Sequence, residues 1–77
     1  MMEEKLFKVI ASVLEIPENR VNPELSLGDV EKWDSLGHLE LILAVEEAFG
    51  VKFNSTEISE LTSVGKIAAR LKEILGA

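Results

Sequence analysis

Asp34, Ser35 and His38 are the residues of this sequence whose types and spacing could do chemistry. On a helix, Ser35 and His38 share a face at i, i+3 with a carboxylate alongside, so a nucleophile, a base and an orienting acid are all at hand. That chemistry would be hydrolysis. Neighbouring helix positions do not by themselves aim an imidazole at a hydroxyl while a carboxylate holds its far nitrogen, and neither an oxyanion device nor a large pocket is evident. Hydrolysis is disfavoured. Asp-Ser is also an ordinary helix start, in which the Asp34 carboxylate accepts from an unpaired N–H of the first turn. The chain has no Cys, which removes a thiol nucleophile, a zinc-ligand set and any disulfide framework. Sulfur chemistry would have to come from a cofactor.

The elements that hold these residues read as helices. Leu6, Val9, Ile10 and Val13 fall at i, i+3, i+4 and i+7, which is an amphipathic helix ending before Pro17. From Ile16 to Asp34 runs a 19-residue connection holding both prolines, Pro17 and Pro23. That is long for a loop, and Val21, Leu25, Leu27 and Val30 are the side chains available to plug it onto a bundle, with a short turn of helix among them. Asp34 as N-cap and Gly50 as left-handed stop bound a second helix from Ser35 to Phe49. Asn54 and Glu57 form a capping pair for a short helix through Leu61. Thr62 or Ser63 caps the last helix, whose core stripe is Val64, Ile67, Ala68, Leu71, Ile74 and Leu75. No period-2 run of strand length is present. The expected class is all-α: a small bundle of three main helices plus one short one, with a long loop between the first two, as a single domain over residues 1–77. A chain of 77 residues buries about 60 to 65% of its unfolded surface, which leaves little room for an enclosed active site.

Charge narrows the partners. The formal charge is −6, and all of it lies in residues 29–60, which hold eight acids (Asp29, Glu31, Asp34, Glu40, Glu46, Glu47, Glu57, Glu60) and two bases (Lys32, Lys52). Such a surface repels phosphate backbones and anionic lipid, so nucleic acid is excluded as a partner and basic proteins are favoured. No apolar run approaches the ~20 residues of a membrane span, and the acidic start Met1-Met2-Glu3-Glu4-Lys5 is unlike a secretory signal. A cytoplasmic monomer is expected. Within the second helix, His38, Ile42, Val45 and Phe49 form one row with Leu41 beside it, which is the core face. Leu36, Glu40, Leu43 and Glu47 form a second row on a largely opposite face. Leucines framed by carboxylates, with Glu46 adjoining, suit weak, salt-sensitive docking onto a basic surface. An unmodified acidic adaptor would explain that face equally well.

Asp34-Ser35-Leu36 resembles the motif of the acyl carrier protein family, in which a serine at the start of the second helix carries the prosthetic group. The resemblance covers most of the chain: the loop before the motif, Glu40-Leu41, the run Val45-Glu46-Glu47-Ala48-Phe49-Gly50-Val51, and Leu61-Thr62-Ser63-Val64. It implies that Ser35 receives 4′-phosphopantetheine from coenzyme A through a separate phosphopantetheinyl transferase, with Asp34 and Leu36 completing the motif. It implies a non-catalytic carrier of acyl or aminoacyl thioesters, whose second helix docks acyl-loading and acyl-transferring enzymes. Trp33, Gly37 and His38 depart from the housekeeping fatty-acid carriers and are similar to discrete carriers of polyketide, peptide or surface-lipid assembly. As a plain loop residue, Trp33 would pack on the bundle with its indole N–H left to water. His38 either borders the place where a carried chain enters the bundle or is satisfied locally.

Overall fold

The computed structural model describes residues 2–76, which form α1 (Met2–Leu14), a 3₁₀ turn (Glu18–Arg20), α2 (Ser35–Phe49), α3 (Ser55–Glu60) and α4 (Val64–Leu75). Each boundary has a local cause. α1 stops where Glu15 takes a left-handed φ of 56° and the Ile16 N–H reaches back to the Ala11 carbonyl, one residue before Pro17 ends any continuation. α2 opens on the Asp34 side chain and closes on Gly50 at φ 65°, with the Val51 N–H bonded to the Glu46 carbonyl. α3 opens on a reciprocal capping box, in which the Asn54 side chain accepts from the Glu57 N–H and the Glu57 carboxylate accepts from the Asn54 N–H. Ser63, of the two candidates, caps α4 by accepting from the Lys66 N–H.

The long connection is tied down mainly at the mouth of α4. There the Leu25 carbonyl accepts from the Val64 N–H and the Pro23 carbonyl from the Gly65 N–H, so the loop satisfies two donors that a helix start leaves orphaned. A side chain at Gly65 would crowd the Pro23 carbonyl, at 3.0 Å from its Cβ. The Leu27 N–H donates to the Thr62 carbonyl, next to an isolated antiparallel bridge between Ser26 and Ser63. Val21 and Leu25 plug into the core as expected. Leu27 does not: it is 38% exposed.

The buried apolar side chains form one cluster, with Leu6, Ile10 and Leu14 from α1, Leu41, Ile42 and Val45 from α2, and Val64, Ile67, Ala68 and Leu71 from α4. Val51, Phe53 and Leu61 from the flanks of α3 close its end. The α4 stripe ends earlier than its periodicity: Ile74 and Leu75 are exposed, because the helix repeat marks a face and not the length over which a neighbour covers it. Phe49 is half-buried, with the Lys5 ammonium 5.0 Å from its ring centre.

No side chain of the short α3 is fully buried; Ile58 packs partly buried against the core and polar ties add to it. One is the ion pair between Glu57 and Arg70 of α4. The Glu57 carboxyl is held below its ordinary value of 4.5 by the Asn54 backbone N–H and, more weakly, by Arg70, against an opposing desolvation. A depressed carboxyl stabilises the fold fully above the unfolded value and loses that contribution as pH falls through the folded one. Acid should therefore loosen α3 below pH 4.5. Glu57→Gln should melt below wild type near pH 7, and the gap should narrow as pH falls below 4.5 and through the lowered folded value. A gap in Tm that stays constant over that range would mean the charge of Glu57 contributes nothing.

Candidate functional site

Ser35 is the first residue of α2 and is exposed. It is fixed from both sides. Following it, the Asp34 carboxylate accepts from the Gly37 N–H at 2.7 Å, which sets the first turn and turns that charge onto the helix backbone. Preceding it, the loop is anchored by Trp33, which is fully buried. The loop is closed on itself here, with the Gly28 N–H bonded to the Trp33 carbonyl and the Trp33 N–H to the Val30 carbonyl. Gly37 is what lets the incoming loop pass this close: a Cβ there would stand 1.8 Å from the Lys32 carbonyl oxygen.

His38 lies inside, 5% exposed, between two partners. The Trp33 indole N–H donates to Nδ1 at 3.0 Å, and Nε2 is 2.7 Å from the Ile58 carbonyl. A carbonyl only accepts and an indole N–H only donates, so Nε2 carries the proton and Nδ1 the lone pair. The Ile58 carbonyl belongs to the last turn of α3, where the helix itself supplies no donor. His38 thus completes a helix end twenty residues away in sequence. The expectation that the Trp33 indole N–H is left to water is corrected: the N–H is inside and spoken for. His38 is satisfied locally. With both ring nitrogens committed and Asp34 engaged by Gly37, the hydrolytic arrangement of Asp34, Ser35 and His38 does not exist, since no free base faces the hydroxyl.

The outer face of α2 carries Leu36 (68% exposed) and Leu43 (62%) beside exposed Glu40 and Glu47. Leu39, at 51%, stands in the same stripe and was missed in the sequence, although its i, i+3 and i, i+4 spacing from Leu36 and Leu43 carries the signal. Glu46 differs from its neighbours. Its Oε2 accepts from the Phe53 N–H at 2.7 Å, so it braces the segment after α2 and is half-buried. Beside Ser35 lies a mostly apolar surface groove of about 410 Å³ between α2 and α3, with Leu27, Leu39, Ile58 and Thr62 along it and His38 behind.

The site is thus an exposed hydroxyl at the mouth of α2, beside an apolar stripe with an acidic rim, on a small helical domain. The family model described as the phosphopantetheine attachment site matches residues 4–71. A curated relative named acyl carrier protein from Acidothermus cellulolyticus is 40% identical over 60 residues, covering 78% of this chain and 71% of its own. Another of the same name from Nitratidesulfovibrio vulgaris is 34% identical over 71 residues, covering 92% and 93%. The chain belongs to the acyl carrier protein family. It is a non-catalytic carrier, and its prosthetic group is phosphopantetheine. Among the described residues no helix is long and apolar enough to cross a membrane.

Proposed function

We propose that residues 1–77 act as one carrier domain in which the Ser35 hydroxyl is the attachment point of 4′-phosphopantetheine. The observation that carries this reading is the exposed Ser35 at the mouth of α2, held between the buried Trp33 and the Asp34 cap. The residues present fit the group. The Ser35 oxygen supplies the ester link, and the first N–H groups of α2, which precede any intrahelical bond, favour a phosphodiester at that end. When bound, the group supplies the thiol that this chain lacks and on which acyl or aminoacyl intermediates are held as thioesters. In the attachment the Ser35 oxygen is the nucleophile on the phosphopantetheine phosphorus of coenzyme A: the new O–P bond forms, the pyrophosphate P–O bond breaks, the hydroxyl proton passes to a base of the transferase, and adenosine 3′,5′-bisphosphate leaves. Incubation with coenzyme A and a broad-specificity phosphopantetheinyl transferase should add one phosphopantetheine to the intact mass. Absence of any gain would favour an unmodified adaptor.

The partners on this reading are the transferase and the acyl-loading and acyl-transferring enzymes, met through Leu36, Leu39, Glu40, Leu43 and Glu47. Glu46 adds charge there, although its carboxylate is committed to Phe53. Replacing both Glu40 and Glu47 by Lys should slow modification by about tenfold at low salt, since rim charges act mostly on association. The deficit should shrink as salt shortens the screening length, with helicity unchanged. Equal rates at every ionic strength would remove the acidic stripe from docking. The resemblance of Trp33, Gly37 and His38 to discrete carriers is the ground for assigning service in polyketide, peptide or surface-lipid assembly, with fatty-acid synthesis the alternative. The mass of the native cargo on the purified cellular protein tests that assignment.

A further inference from the structure

Trp33, Gly37 and His38 are one unit. Without a side chain at Gly37 the Lys32 carbonyl can lie against α2, and this brings Trp33 beneath the helix, where its indole N–H meets His38. The other nitrogen of His38 holds the Ile58 carbonyl of α3. α3 is otherwise held by the partly buried Ile58 side chain, by its buried flanks Phe53 and Leu61, and by the Glu57–Arg70 pair on the side facing α4. The groove beside Ser35 lies over this junction, with His38 at its back.

We infer that Trp33, Gly37 and His38 form a latch that holds α3 against α2, so that an apolar group carried at Ser35 stays in the outer groove and does not pass between the two helices into the core. This rests on Ser35 being the attachment point. For a chain to pass, α3 must leave α2, and the Ile58 carbonyl and the His38 N–H then lose each other. Behind His38 the fully buried Trp33 fills the space that the chain would need, and close-packed interiors do not yield such volume without rearrangement. His38 is in this sense a positioning residue for the cargo.

The test loads the wild-type protein with acetyl- or octanoyl-phosphopantetheine from the corresponding acyl-coenzyme A and follows hydroxylamine cleavage of the thioester by intact mass. On wild type the two chains should be cleaved at rates within about twofold of each other. On His38→Ala, octanoyl should be cleaved about tenfold more slowly than acetyl, as expected when nine chains in ten are shielded. His38→Gln, whose amide can accept from Trp33 and donate to Ile58, should restore the wild-type pattern, which a merely structural defect would not do. Strong protection of octanoyl on wild type overturns the latch, and that comparison decides by itself should His38→Ala fail to fold. Equal cleavage on a folded His38→Ala also overturns it. A protein that takes up no acyl-phosphopantetheine at all refutes the attachment at Ser35, a separate failure visible before any cleavage is measured.

Discussion

Ser35→Ala gains no phosphopantetheine, with any residual modification at least about a thousandfold below wild type, because it removes the attacking oxygen itself. The same change leaves the fold almost untouched. The cap of α2 is the Asp34 side chain bonded to Gly37, so no capping bond is lost. Ala is the better helix former by a few tenths of a kcal/mol, and Ser35 is exposed, so melting shifts by about 2 °C or less. Ser55 and Ser59 line the same groove and serve as internal controls. If the variant still takes up one group, one of these or another hydroxyl is the acceptor, peptide mapping will find it, and the assignment to Ser35 is wrong. Asp34→Ala tests the neighbour differently: it should cost about 1 kcal/mol of stability through the lost cap while leaving modification possible.

Much of the fold was legible because its punctuation is local. Asp34 and Gly50, and Asn54 with Glu57, each act within a turn of themselves, so their residue types place those helix ends, while the start of α4 is left to Thr62 or Ser63 and so is placed to within one residue. Packing extent is not local. Leu27, Ile74 and Leu75 continue apolar patterns past the point where a neighbour covers them, and nothing in their own spacing reports where that neighbour stops. The exposed hydroxyl was legible as a motif, whereas its support was not. Trp33 and His38 could be noted as unusual, but the bond that explains both ends on the backbone carbonyl of Ile58, and a backbone acceptor leaves no mark in side-chain identity.

Trp33→Ala should be the most destabilising single change near the site. The side chain is wholly buried, so its removal opens a large cavity, typically about 3–5 kcal/mol, and leaves the Nδ1 lone pair of His38 unpaired in the interior. A domain of this size has only about 4–12 kcal/mol in total. Urea unfolding followed by circular dichroism should therefore show a midpoint lowered by at least about a quarter, and to near zero denaturant where the wild type stands at the low end of that range. Trp33→Phe separates the two contributions, since it keeps most of the ring volume and removes the N–H. It should cost about 1–3 kcal/mol, which for 60–100 residues lowers Tm by about 4–8 °C per kcal/mol. A Phe variant as stable as wild type would show that the bond to His38 contributes nothing, and an Ala variant that loses less than about 2 kcal/mol would contradict the burial itself. The same series bears on function, because Trp33 fixes the loop that delivers Ser35. In Trp33→Phe the hydroxyl keeps its place and modification proceeds, whereas in Trp33→Ala the acceptor sits on an unanchored loop, and uptake of phosphopantetheine falls together with the fold.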